Sequence, residues 1–343
     1  MRIEKPDTIR VGIVGCGRMG EVHADILKSM PGIEVCGLVD RDADRAAHLA
    51  AALSISNVFT TADELVREAS LDVVHILTPP STHAQICCSA IEAGCHVFVE
   101  KPMAMTAEEA ERMAAAAAQH NRLLTVDHNN RFDPAVTEAS RRIAAGHIGD
   151  LIGIDVFHNS LPPEAPWITA LPSGDWFNDV DHLFYLSEFF LGRLQKVRPV
   201  GARSSDGRVA ELHIAAENER GWSSLTYSTL TAPFQIRLVL YGSQRTLEVD
   251  VRLGLVVERR AFNLPRWLRK RLMGLDVAAQ LFAQSASNAA RILTGRAKSW
   301  SGLRNLLEAY YAAIRGGSES PVDIETCLRI VKLKQDIIRQ LKD

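Results

Sequence analysis

The chain has 343 residues, 47% of them apolar and 23% charged, with a formal net charge of −2. That length suggests two domains, and the apolar content is enough for a sizeable core in an ordinary soluble protein. The balanced charge gives no reason to expect a nucleic-acid partner, and no apolar run approaches the roughly 18 residues of a membrane span.

Residues 1–127 alternate short apolar strands with amphipathic helices. Strands are expected at 9–14, 33–39, 58–59, 71–77, 96–99 and 123–126. Helices are expected at 20–30, 43–53, 62–68, 83–93 and 106–120, the last opened by the capping box Thr106/Glu109. This pattern predicts a parallel sheet with helices on both faces. After Pro134 comes a helix at 135–145, then longer alternating strands at 151–159, 196–202, 210–217, 222–229, 235–241, 245–251 and 255–260. A helix at 179–191 interrupts them, and about 80 residues of helical pattern close the chain. The expected second domain, 128–343, is α+β: a large, mostly antiparallel open sheet covered by helices.

The start of the chain lacks the apolar stretch of a signal peptide. Cys16, Cys36, Cys87, Cys88, Cys95 and Cys327 form no Cys-x-x-Cys pair. A reduced cytoplasmic protein is expected, with no metal site. The basic stretch 264–271 reads as a solvated helix start ahead of a membrane or anionic-ligand patch.

The first strand runs into Gly15-Cys16-Gly17-Arg18-Met19-Gly20, and Asp40 ends the second. In that setting Gly15 permits a tight turn, Gly17 lets the backbone approach a pyrophosphate, and Gly20 lets helix and strand pack closely. The phosphates would rest on the helix N-terminus. Asp40 would take the adenosine ribose hydroxyls and repel a 2′-phosphate, which favours NAD over NADP; Arg41 beside it weighs the other way. The loop's other reading is a methyltransferase or flavin enzyme on a Rossmann fold. Glu100-Lys101-Pro102 follows another strand, where the ligand crevice of such a sheet lies, and Lys101 is well placed there to meet a substrate oxygen.

The glycine loop, the Thr78-Pro79-Pro80 turn and the run Cys95-His96-Val97-Phe98-Val99-Glu100-Lys101-Pro102-Met103-Ala104 resemble the Gfo/Idh/MocA oxidoreductases. The resemblance implies a Rossmann domain, 1–127, followed by a substrate-binding and oligomerisation domain. It implies NAD(P)-dependent hydride transfer to or from a carbinol or keto carbon of a sugar, cyclitol or nucleotide-sugar. Lys101 would be the catalytic lysine. Thr78, Pro79, His83, Glu100 and Asn129 would lie along the cofactor with Arg18, Met19, Asp40 and Arg41. Asn130 and Arg131 would face the substrate, with a salt bridge to Asp133 or Asp127 as the other reading of Arg131.

The family's Asp-x-x-x-His helix is matched imperfectly. With His182 in the histidine place, Asn178 stands where Asp is expected, Asp179 is one residue late, and Tyr185 replaces a later Asp. Positions 178, 182 and 185 share a helix face, as do 179 and 182. His182 is therefore the expected general acid/base, with Tyr185 as the other donor and Asp179 beside them. The change at 178 leaves the proton relay and the reaction direction open, with reduction of a keto-sugar as one reading. His158, near Pro162, Pro163 and Trp167, is a substrate contact or a solvent-side strand-end histidine. A homodimer or homotetramer through the open sheet is expected. The alternatives are a non-catalytic dinucleotide-binding regulatory protein on the same fold, or an isomerase or glycosidase that oxidises its substrate transiently on bound NAD.

Overall fold

The computed structural model describes residues 8–160, 180–203, 209–260, 264–295 and 299–341. Two compact units emerge: residues 1–127 with 308–335, and residues 128–307 with 336–343.

The first unit holds β1 (Ile9–Val14), α1 (Arg18–Lys28), β2 (Ile33–Val39), α2 (Ala43–Leu53), β3 (Val58–Phe59) and α3 (Ala62–Glu68). It continues with β4 (Val73–Ile76), α4 (His83–Glu92), β5 (His96–Val99), α5 (Ala107–Gln119) and β6 (Leu124–Val126). The six strands are all parallel, in the order β3-β2-β1-β4-β5-β6. Every residue of β4 is buried, the mark of a strand covered on both faces. Strand order reverses between β1 and β4, so the ligand crevice of this sheet opens beyond their carboxyl ends. Helix α1 starts two residues earlier than the periodicity suggests, because Gly20 packs inside its first turn.

The second unit holds α6 (Pro134–Ala144), β7 (Leu151–Asn159), α7 (Asp181–Leu191), β8 (Leu194–Arg203), β9 (Val209–Asn218) and β10 (Gly221–Ser228). Then come β11 (Ile236–Gly242), β12 (Thr246–Asp250), β13 (Leu255–Arg259) and α8 (Arg266–Leu293). In the chain, helices α9 (Ser301–Gly316) and α10 (Ile324–Gln340) follow, and residues 308–335 of this stretch belong to the first unit. The sheet order is β13-β12-β11-β7-β10-β9-β8. Its neighbours are antiparallel except β7 and β10, which run parallel because α7, β8 and β9 intervene before the chain returns. Leu212, Ile214, Leu225, Tyr227, Leu238 and Leu240 fill the buried face, which α7 covers along β7 and β10. The other face carries Trp222, lying over Gly153 and tilted against Tyr241, and the exposed Val200. Among the described residues, no helix is long and apolar enough to cross a membrane.

Candidate functional site

In the first unit the glycine loop is shaped as its spacing demands. Gly15 has φ +104°, and a Cβ there would lie 2.6 Å from the Leu77 carbonyl oxygen of the neighbouring strand end. A Cβ on Gly20 would collide with the Gly15 carbonyl. Around Gly17 there is open space, with nothing within 4 Å of where a Cβ would sit. Gly17 also caps α1 without a side-chain hydrogen bond. The loop therefore keeps a recess over a helix N-terminus that any side chain would fill, and this fits a dinucleotide pyrophosphate. Arg18 is exposed and Met19 half-buried at the rim of this turn.

Asp40 braces the loop. Its Oδ2 accepts the Cys16 N–H at 2.7 Å and its Oδ1 accepts the Asp42 N–H at 2.9 Å. Burial, with Asp40 beside it, pushes the Cys16 thiol up to about 12, so it stays protonated. Arg41 is exposed; it is Arg45 whose guanidinium lies 3.8 Å from Asp40. Sequence reasoning missed Arg45, although Asp42 as helix cap places it in the first turn of α2.

Thr78 and Thr82 pair hydroxyls at 2.7 Å, and Thr82 donates to the Pro79 carbonyl at 2.9 Å. His83 is fully buried, with Nε2 2.8 Å from the Thr78 oxygen and Nδ1 3.0 Å from the Pro102 oxygen. Its ring spans from the loop after β4 to the loop after β5, where it holds the Pro102 carbonyl next to Lys101. Glu100 is buried and its Oε2 accepts the Lys101 N–H at 3.0 Å. The Lys101–Pro102 peptide is cis.

A buried polar chain lies behind this loop. The Tyr311 hydroxyl is 2.8 Å from His75 Nε2, His75 Nδ1 is 2.9 Å from His23 Nδ1, and His23 Nε2 faces Glu100 Oε1 at 3.9 Å. Burial holds both imidazoles neutral, with His23 lowered to about 3. One assignment suits both hydrogen bonds: Tyr311 donates to His75 Nε2, His75 Nδ1 donates to His23 Nδ1, and the His23 Nε2 proton points at the Glu100 carboxylate across 3.9 Å, beyond hydrogen-bond length. Phe98 seats the pair, stacked on His75 and edge-on to His23. His23, Glu100 and Asp127 bring ligand-type atoms within 4.8 Å of one another. None of this was foreseen, although His23 shares a helix face with Gly20 and Leu27.

In the second unit, Asn129 and Asn130 open a short 3-10 turn, Asn129–Phe132. The Asn130 N–H donates to the Tyr185 hydroxyl oxygen at 3.2 Å, and Asn130 Nδ2 lies 3.1 Å from His182 Nδ1. The Tyr185 hydroxyl is 2.5 Å from the same His182 Nδ1. An amide NH2 only donates, so Nδ1 must accept and the imidazole proton sits on Nε2. His128 stacks on Tyr185 at 4.3 Å between centroids. His158 is buried edge-on to His182 at 5.1 Å, which removes its solvent-side reading. Arg131 lies over the Phe189 ring at 4.8 Å and the Phe132 ring at 5.6 Å, a cation–π seat the sequence did not suggest. Asp133 instead caps α6 through the Ala135 N–H at 2.9 Å, and burial raises its carboxyl to about 6. Asn178, Asp179, Pro162, Pro163 and Trp167 lie outside the described residues.

A sequence model of the GFO_IDH_MocA family, described as an oxidoreductase family with an NAD-binding Rossmann fold, matches residues 9–128. The chain is 30% identical over 246 residues to the uncharacterised oxidoreductase YrbE of Bacillus subtilis, covering 70% of this chain and 71% of that one. It is 33% identical to scyllo-inositol 2-dehydrogenase (NAD(+)) of the same organism, over 54% of each chain. Among solved structures, the WlbA dehydrogenase of Bordetella pertussis, in complex with NADH and UDP-GlcNAcA, superposes with a TM-score of 0.78 at 19% identity. That match covers 99% of this chain and 97% of the other.

Proposed function

The chain belongs to the Gfo/Idh/MocA family of oxidoreductases, and from that premise we propose that it interconverts a carbinol and a keto carbon on a sugar, cyclitol or nucleotide-sugar with NAD. The observation that carries this reading is the hydrogen-bonded set Asn130–Tyr185–His182, which fixes which imidazole nitrogen holds the proton.

When bound, the dinucleotide supplies or accepts the hydride. Gly15, Gly17 and Gly20 would hold its pyrophosphate, with Arg18 and Met19 at the rim. Asp40, held by two backbone N–H groups, would take ribose hydroxyls with its remaining lone pairs and disfavour a 2′-phosphate. This supports NAD, against the nearby guanidinium of Arg45. Thr78, Pro79, Glu100 and Asn129 are proposed cofactor neighbours.

Lys101 is proposed to hydrogen-bond the reacting oxygen and stabilise charge on it. His182 is proposed as the proton donor. In the reductive direction its Nε2 proton passes to the substrate oxygen, and the Tyr185 hydroxyl proton moves to Nδ1. The charge left on the Tyr185 oxygen faces the Asn130 N–H until solvent reprotonates His182 Nε2 and the Nδ1 proton returns to the phenolate, which restores the resting tautomer. Oxidation runs these transfers backwards. The resting tautomer is the donor form, which suits reduction of a keto group. Tyr185 thus acts through His182, taking the part left open by Asn178. Arg131 and His158 are proposed substrate neighbours. Self-association through the sheet face that carries Trp222 and Tyr241 is the proposed oligomeric contact.

The test is a panel of keto-sugars, keto-cyclitols, polyols and UDP-sugars, read by the absorbance of NADH and NADPH. Turnover with NADH is expected for at least one member of the panel. Tight NAD binding without turnover across the panel would instead mark a dinucleotide-binding regulatory protein.

A further inference from the structure

Strand β13 ends the second sheet, and an edge strand presents a row of backbone N–H and C=O groups that must be covered or paired. Helix α8 covers it with polar side chains placed four residues apart. Gln280 accepts the Glu258 N–H at 2.9 Å and donates to the Glu258 carbonyl at 3.0 Å. Gln284 does the same at Val256, at 2.8 and 2.9 Å. Asn288 donates to the Leu253 and Gly254 carbonyls, and Asp276 pairs with Arg260. Each glutamine amide takes the place of one residue of a missing neighbour strand.

The polar stripe of the helix is packed on the sheet edge, with Leu272, Met273 and Val277 half-buried, whereas a second set of apolar residues faces away. Leu275, Phe282 and Leu293 are 66%, 78% and 88% exposed. With Ala286 and Ala289 they recur at intervals of seven, four, three and four, which keeps them on one face. Trp267, 64% exposed, stands near the helix start with the Arg271 guanidinium over its ring at 6.0 Å.

Charge selects what covers this face. The 28 residues of α8 include five basic side chains and one acidic, and that one, Asp276, is already paired. Four of the five, Arg266, Arg269, Lys270 and Arg271, lie in the first two turns, on a chain whose net charge is −2. A second copy would offer the same basic helix with no spare carboxylate to meet it. An anionic lipid surface offers both acyl chains and phosphates. The helix is about 42 Å long at 1.5 Å per residue and is not apolar enough to span, so it would lie in the interface plane.

We propose that α8 is an interfacial helix that docks this protein on an anionic phospholipid bilayer, with Leu275, Phe282 and Leu293 entering the acyl boundary. The proposal does not depend on the redox reading.

The experiment is sedimentation of the full chain with vesicles of phosphatidylglycerol and phosphatidylethanolamine, and with vesicles of phosphatidylcholine. Binding to the anionic vesicles alone is expected. The double variant Leu275→Glu/Phe282→Glu should bind about tenfold more weakly or worse, with melting temperature and NAD binding unchanged. Arg271→Glu should weaken binding more at low salt than at high salt. Absence of anionic-vesicle binding, or equal binding by the double variant, would overturn the proposal. So would a wild-type oligomer that the double variant dissociates in the absence of any vesicle binding, which would assign the face to a second copy.

Discussion

The Tyr185 hydroxyl lies 2.5 Å from His182 Nδ1, one turn away on α7, and its oxygen takes the Asn130 N–H at 3.2 Å. A phenol placed this way does two things: it fixes the tautomer of the imidazole, and it gives the ring a proton to draw on. If His182 is the donor, His182→Ala should lower kcat by about 10²–10⁴ with little change in NAD affinity. Tyr185→Phe keeps the stacking on His128 and removes only the hydroxyl. It should lower kcat by about tenfold or more and move the pH–rate profile, while KM changes little. A Tyr185→Phe enzyme with an unchanged profile would show that the phenol is merely packed.

Gly17 and Gly20 separate two ways of damaging the same loop. Gly17→Val places a side chain in open space, so the fold should be unaffected while NAD affinity drops by about tenfold or more. Gly20→Ala drives a methyl into the Gly15 carbonyl and should lower the melting temperature as well. Calorimetric NAD titration beside thermal melting distinguishes them. A Gly17→Val protein that binds NAD normally would remove the pyrophosphate from this recess.

Asp40 carries both cofactor choice and loop support. Asp40→Ser removes the carboxylate that disfavours a 2′-phosphate and leaves Arg45 in place. The ratio of kcat/KM for NADH over NADPH should fall by about tenfold or more. Because the Cys16 N–H also loses its acceptor, affinity for both cofactors should weaken. Asp40→Ser with Arg45→Ala should lose the gain for NADPH. Equal ratios in the single variant and the wild type would place the ribose elsewhere.

What could be read in advance follows from how local each signal is. The strand-to-helix turn at 15–20, the cap at Thr106 and the alternation in β9 are set by neighbouring residues, so residue pattern predicts them. His182 and Tyr185 share a face because helical spacing requires it. Tyr311 and His75 are 236 positions apart and meet only through tertiary packing, so no window of sequence reveals the pair. The seat of Arg131 on Phe189 is missed for the same reason. Helix α8 misleads in another way. Its glutamines look like a solvent face, and only the free edge of β13 makes them the buried side.

The buried imidazoles predict how stability responds to acid. His23 is lowered to about 3 in the folded chain by burial, against an ordinary value near 6.5 when unfolded. Between those values the unfolded chain binds a proton that the folded chain does not. Stability contributed by neutral His23 is therefore fully present above about pH 6.5 and is lost progressively as pH falls toward 3. His75, lowered by burial and by its neighbour His23, adds in the same direction. His23→Phe keeps an aromatic ring beside Phe98 but does not titrate. Its stability should be lower than wild type at pH 7.5, because His75 loses a partner. Its fall on acidification should be shallower by up to about 1.4 kcal/mol per pH unit, one proton's worth. Urea midpoints measured from pH 7.5 to 4 give both slopes. Parallel curves for the two proteins would mean that His23 carries its proton in the folded chain, so that His23 Nδ1 donates to His75 and His75 donates to Tyr311.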